Sequence, residues 1–218
     1  MGGSSGKPGP LFIAFEGIEG SGKSTQVRLV AGALQQLGVE ALVTREPGGT
    51  KAGEAIRAVA LDSDLHLDAV AELMLMIAAR SVFVGEVVKP ALEKGRVVLT
   101  DRYELSTFAY QGGGRGLPLA RIKEINELAT GGLRPDLCVI LDVDVDDGQA
   151  RGRRGGRDRI EREDVEFHQR VADAYRGLAL SEPNVALVGG RGEIEEVFEA
   201  VWAALSTRFP ETFPPHRW

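Results

Sequence analysis

Eight residues near the start of the chain, Gly17-Ile18-Glu19-Gly20-Ser21-Gly22-Lys23-Ser24, form a complete G-x-x-x-x-G-K-S pattern. They follow the apolar run Leu11-Phe12-Ile13-Ala14-Phe15 and open an amphipathic stretch from Thr25 to Leu37. That setting constrains the fold strongly, because a strand must deliver the loop onto a helix N-terminus for the pattern to hold a phosphate. The glycines let backbone N–H groups curl around an anion, Lys23 reaches the outer phosphates, and the Ser24 hydroxyl can face a metal ion. The expectation is a nucleoside triphosphate site, with the alternative being a glycine-rich turn that merely starts a helix.

Four more apolar runs follow, at 39–44, 96–100, 137–142 and 185–188. Each is bounded by turn-forming residues and separated from the next by helical patterning. The longest predicted helix spans about 68–93, with Leu73, Ile77, Val84, Val87 and Val88 at helical spacing. Further helices are expected at 119–130, 165–179 and 193–207. Strand–helix alternation implies an α/β fold, a parallel sheet with helices on both faces, in which ligands sit at the carboxyl ends of the strands. With 218 residues the chain has room for one domain, set at 11–208. Residues 1–10 read as a disordered leader, and 209–218, with three prolines in 210–218, as a poorly ordered tail in which Phe213 and Trp218 are the residues able to dock.

The formal net charge of −6 argues against bulk binding to nucleic acid or anionic membrane. The single cysteine, Cys138, excludes an intrachain disulfide and a multi-cysteine zinc site, and its apolar neighbours suggest a core thiol. No apolar segment is long enough to span a bilayer, so the expected location is cytoplasmic.

The strand ends carry the chemistry. After the second run comes Arg45-Glu46-Pro47-Gly48-Gly49-Thr50, and after the third comes Asp101-Arg102-Tyr103. Asp101 can hold the water shell of a metal and Arg102 can clamp a phosphate, the alternative being a plain ion pair. Residues 151–162 concentrate arginine in an otherwise acidic protein. The alternatives are a solvated basic face and an RNA contact. A glycine-hinged arginine lid over about 150–163 fits better, since no aromatic residue interleaves for base stacking. His66, His168 and His216 fall in no catalytic pattern.

Taken together, FEGIEGSGKST, TREPGGT, AELMLMIAAR, DRYELSTFAYQGGGRG, RPDLCVILDV and GRDRIEREDVEFHQRV resemble the thymidylate kinases from Leu11 to about Leu205. The resemblance implies a P-loop nucleoside-monophosphate-kinase sandwich with strand order 2-3-1-4-5. It implies phosphorylation of dTMP to dTDP by ATP with Mg²⁺, ATP and dTMP as the partners, and a homodimer built on long helices. ATP would lie on Gly17, Ile18, Glu19, Gly20, Ser21, Gly22, Lys23, Ser24 and Thr25, with Arg151 packing on the adenine. The metal would be served by Ser24 and Asp101. For dTMP, Glu16 would approach the sugar 3′-hydroxyl, Arg45 and Arg102 the phosphate, Arg80 the thymine carbonyl and Thr107 the N3 edge. Pro47 and Gln111 complete that pocket, and Tyr110 would crowd the place of a ribose 2′-hydroxyl. Catalysis would fall to Lys23, Arg102 and the lid arginines Arg153, Arg154 and Arg157, because Gly20 stands where eukaryotic-type enzymes carry an arginine. Met76 stands where the family usually stacks a phenylalanine on the base, and a thioether gives less specific geometry than a ring. Two rival readings are a kinase for dUMP or a deoxynucleoside and a nucleotide-dependent switch ATPase. The arginines aimed at an acceptor phosphate disfavour a deoxynucleoside, and the lack of an N-K-x-D motif disfavours the switch.

Overall fold

The computed structural model describes residues 9–152 and 158–215. Five parallel strands form the sheet: β1 (Leu11–Glu16), β2 (Ala41–Arg45), β3 (Val97–Asp101), β4 (Leu137–Asp142) and β5 (Val185–Gly189). Their order is β2-β3-β1-β4-β5, as the resemblance implied. The topological switch lies between β1 and β3, whose outgoing connections run to opposite sides of the sheet, β1 to β2 and β3 to β4, so a crevice opens above their carboxyl ends. Register brings the functional ends level: Phe15 pairs with Asp101, Arg45 with Asp101, and Glu16 with Ile140.

Period-2 alternation divides the core into two layers. Phe12 and Ala14 of β1, with Cys138 and Ile140 of β4, face one layer that includes Phe83, Tyr103, Phe167 and Tyr175. Ile13, Phe15, Val139 and Leu141 face the other, packed on Val30, Leu34, Val201 and Trp202. Helices α1 (Lys23–Gln36) and α9 (Ile194–Arg208) supply the second layer. Cys138 is buried as expected, and burial pushes its thiol pKa well up.

The remaining helices are α2 (Lys51–Leu61), α3 (Ala69–Phe83), α4 (Lys89–Glu93), α5 (Glu104–Thr107), α6 (Leu119–Thr130), α7 (Val145–Gly152) and α8 (Val165–Ser181). The expected 68–93 helix is interrupted by a π-helical turn at Val84–Val88, where Lys89 N–H donates to the Val84 carbonyl five residues back. Pro90 has no N–H to continue an α-helical ladder, which accounts for the wider turn just before it. A second π-helical stretch, Phe108–Gly114, follows α5. Helices α2 and α7 lack a counterpart in the sequence reading. Thr50 caps α2 by accepting from Gly53 N–H, and α7 occupies part of what was read as lid.

In the tail, the docking alternative holds for Phe213. Phe213 is fully buried, edge-on to Trp202, and the Trp202 indole donates to the Pro214 carbonyl at 2.8 Å. Two prolines frame an aromatic residue that has apolar surface to bury, so residues 209–215 dock on α9 instead of fraying.

Candidate active site

A single cleft of about 950 Å³ runs along the carboxyl edge of the sheet, from the loop after β1 to α3 and the Phe108–Gly114 stretch. At one end the 17–24 loop wraps onto α1, whose first residue follows Gly22 in a left-handed conformation (φ 94°). Thr25 and Gln26 N–H donate to the Gly22 carbonyl, and with no side-chain cap the N–H groups of Lys23 and Ser24 remain available to an anion. Lys23 Nζ donates to the Ile18 carbonyl (2.7 Å) and to Ser21 Oγ (3.3 Å). Burial, with the charge of Arg102 as a second cause, lowers its pKa to about 8. The Ser24 hydroxyl donates to the Asp101 carboxylate, bringing the two candidate metal residues into contact.

Gly20 has φ 70°, and a Cβ there would lie 2.0 Å from the Gly148 carbonyl oxygen. The phosphate loop and α7 thus touch backbone to backbone, which leaves no room for an arginine at position 20. From the same helix Arg151 donates to the Gly190 carbonyl (2.9 Å) beyond β5 and lines the donor end of the cleft.

Arg102 occupies the middle. It is held at φ 74°, a strained value for a residue with a side chain. Its Nη1 donates to the Gly17 carbonyl, Ser106 Oγ and Tyr175 OH, its Nη2 to Tyr110 OH, and Glu19 lies 3.7 Å away. The guanidinium also sits 5.1 Å from the centre of the Tyr110 ring. Such over-determination holds one geometry before any ligand arrives.

Glu16 requires a correction. Its side chain is completely buried, following Phe12 and Ala14 onto the inner face of the strand. Its carboxylate accepts from Tyr103 N–H (2.8 Å), Ser106 Oγ (2.6 Å) and Tyr175 OH (3.0 Å). It therefore braces the floor of the cleft, and Glu19, with 48% of its side chain exposed, is the carboxylate that reaches the cavity. Burial raises the Glu16 pKa despite these donors.

At the far end Met76, Arg80, Thr107, Tyr110 and Gln111 line the cleft together. Arg80 is buried and paired with Glu46 at 2.9 Å. Its Nη1 donates to Asn126 Oδ1, and its Nη2 to the Tyr103 carbonyl and Thr107 Oγ1, each at 2.9 Å. Burial is the larger influence on Glu46 and lifts its pKa to about 7 against the pull of Arg80. Arg45 and Pro47 line the cleft as well, Arg45 being paired with Glu54 and largely exposed.

Of the expected residues, Gly17 and Ile18 do not line the cavity. Arg153, Arg154 and Arg157 lie outside the described residues. Arg57 and Tyr175 were missed. Arg57 sits on α2 and donates to the Pro47 carbonyl (3.0 Å), so recognising that helix would have flagged it. Tyr175 sits on α8 with no motif around it.

A family model described as thymidylate kinase matches residues 15–201. The chain belongs to the thymidylate kinase family. It is 48% identical over 196 residues to a thymidylate kinase of Desulforudis audaxviator, covering 88% of this chain and 89% of that protein. It is 46% identical over 200 residues to one of Deinococcus radiodurans, covering 91% and 97%. The crystal structure of thymidylate kinase from Ehrlichia chaffeensis superposes with a TM-score of 0.77 at 34% identity, covering 91% of this chain and all of that one. As a thymidylate kinase the protein is a nucleoside monophosphate kinase that converts dTMP to dTDP with ATP, in dTTP synthesis. No helix among the described residues is long and apolar enough to cross a membrane.

Proposed function

We propose that the γ-phosphoryl group passes from Mg-ATP on the phosphate loop to dTMP held over Arg102, with Arg80, Thr107 and Gln111 reading the thymine. The observation that carries this reading is the position of Arg102, prearranged between the loop carrying Lys23 and the pocket of Met76 and Arg80. The nucleophile is a phosphate oxygen whose second pKa is about 6, so no general base is needed near neutral pH. The protein's work is then alignment and charge neutralisation of two polyanions, by Lys23, Arg102 and the N-terminus of α1.

The donor set suits magnesium. Ser24 and Asp101 offer hard oxygen ligands at one point of the cleft. No cluster of three or more histidine, cysteine or acidic side chains exists among the described residues to build a closed metal cage. Magnesium is ordinarily held by one or two protein oxygens, water and substrate phosphates. When bound it would supply neutralisation of the transferring phosphates.

The same reading places the enzyme in the cytoplasm, where its nucleotide substrates are, and makes it a homodimer. Support for a dimer comes from α2, α3 and α6, which expose Val59, Val70, Met74 and Leu128.

Arg102→Ala tests the proposal. The expected result is a loss of kcat of about 100-fold or more with the far-ultraviolet circular dichroism spectrum kept. Near-normal turnover in a coupled ADP assay would remove Arg102 from the transfer step.

A further inference from the structure

Glu72 is the most thoroughly engaged buried carboxylate outside the phosphate end of the cleft, and the proposed chemistry gives it no task. It lies on α3 one turn before Met76 and two turns before Arg80, with its side chain completely buried. One carboxylate oxygen accepts from Gln111 Nε2 at 2.7 Å. Arg115 donates to the other oxygen through Nη2 at 2.8 Å and through Nε at 3.2 Å, and Arg159 Nη1 lies 2.8 Å from it. Burial alone would raise the carboxyl pKa, but the hydrogen bonds from Arg115 and Gln111 outweigh it and hold the group below its ordinary value.

An ionised carboxylate can only accept hydrogen bonds. The Gln111 amide must therefore turn its NH₂ toward Glu72, and the usual ambiguity of a glutamine flip disappears. The carbonyl oxygen, an acceptor, is thereby turned away from Glu72, and one N–H of the same NH₂ is also left over. Gln111 lines the same cleft as Arg80 and Thr107, and it follows Thr107 by about one turn.

Arg80 offers the opposite polarity. Of its five N–H groups, four are used by Glu46, Asn126, Tyr103 and Thr107, and one on Nη1 is left. Thr107 is ambivalent, since a hydroxyl that accepts from Arg80 can still donate or accept by rotation. Thymine and uracil present an N–H at N3 beside a carbonyl at C4, whereas cytosine presents a bare N3 beside an amino group. A fixed acceptor next to a fixed donor matches the first pattern and opposes the second.

We infer that Glu72 is a positioning residue for base selection: by fixing the polarity of the Gln111 amide, it makes the pocket read 4-keto pyrimidines and reject 4-amino ones. The inference rests on the dTMP pocket proposed above. Arg115 and Arg159 serve it by keeping Glu72 charged, and Arg80 contributes separately at C4.

The test is kcat/KM for dTMP, dUMP and dCMP, with ATP as donor, in the wild type, Glu72→Gln and Glu72→Asp. A glutamine at 72 can present an NH₂ to Gln111 and lets that amide turn over. In Glu72→Gln, dTMP and dUMP should fall together by about tenfold while dCMP holds or rises, with the dTMP/dUMP ratio unchanged. Glu72→Asp keeps an ionised acceptor and should keep the wild-type dTMP/dCMP ratio. Equal losses for all three substrates in a folded Glu72→Gln enzyme would mean Glu72 is only structural and would overturn the inference. If Glu72→Gln does not fold, Gln111→Met decides, because removing the acceptor must cost dTMP and dUMP but not dCMP. An unselective or absent effect there overturns it too. A wild-type enzyme that cannot phosphorylate dTMP would instead overturn the pocket assignment itself.

Discussion

At the scale of single residues, the site is defined by charges kept in place before substrates bind. Lys23 shows the cost. Buried against the Ile18 carbonyl and the Ser21 hydroxyl, with the charge of Arg102 nearby, it has a pKa lowered to about 8 in the free protein. A triphosphate would raise that value again, because the opposite charge favours the protonated amine. ATP binding should therefore take up protons on the alkaline side, where the free lysine is mostly neutral and the bound one is not. At about pH 8.5 the expected uptake is roughly 0.7 proton, measurable by titration calorimetry in buffers of different ionisation enthalpy. The uptake should shrink toward pH 7, where both forms are protonated, and should vanish in Lys23→Ala. The contrast between Glu16 and Glu19 belongs to this scale as well. Both are carboxylates beside the motif, but strand alternation sends Glu16 inward with Phe12 and Ala14. The alternation was visible in the sequence, as was the expectation of helices on both faces, but nothing local showed that Tyr103 N–H, Ser106 and Tyr175 converge on the Glu16 carboxylate from 87 to 159 positions away.

At the scale of elements, the phosphate loop is braced by α7 through the Gly20 and Gly148 contact. A Cβ on Gly148 would meet the Glu19 carbonyl oxygen at 2.6 Å, which neither backbone can easily relieve. Gly148→Ala should push α7, and with it Arg151, away from the loop. The expected effect is a rise in KM for ATP of about tenfold with a smaller change for dTMP, read from initial rates. Unchanged ATP kinetics would show that the loop does not depend on α7. The strands were legible because buried parallel strands read as continuous apolar runs, and β4 has the predicted bounds, 137–142. Helix α2 was passed over because its eleven residues, KAGEAIRAVAL, follow directly on the glycine-rich 47–50 turn and bury only Gly53 and Ala60. Helix α7 was hidden by its acidic start and arginine end, which resemble a loop. Contacts such as Gln111 with Glu72, thirty-nine positions apart, leave no local signal at all.

At the scale of the molecule, five level strand ends and two helix layers make one cleft long enough for two nucleotides facing each other. The neighbouring helices α2, α3 and α6 then leave apolar side chains uncovered, with Val70 52% and Met74 46% exposed one turn apart on α3 and Leu128 86% exposed on α6. A second copy would bury such a face at little polar cost. Light scattering should give twice the chain mass for the wild type, and Met74→Glu should shift it toward the monomer. A wild-type monomer at micromolar concentration would refute the dimer.

If one cleft joins an ATP site to a dTMP site, ADP release must depend on the acceptor. With ATP and magnesium fixed, dTMP should raise ADP release far above the rate with water alone. dUMP should follow at a lower rate, and dCMP and thymidine should give little. Slow ATP hydrolysis that no nucleotide accelerates, or a response to thymidine that exceeds the response to dTMP, would contradict the account.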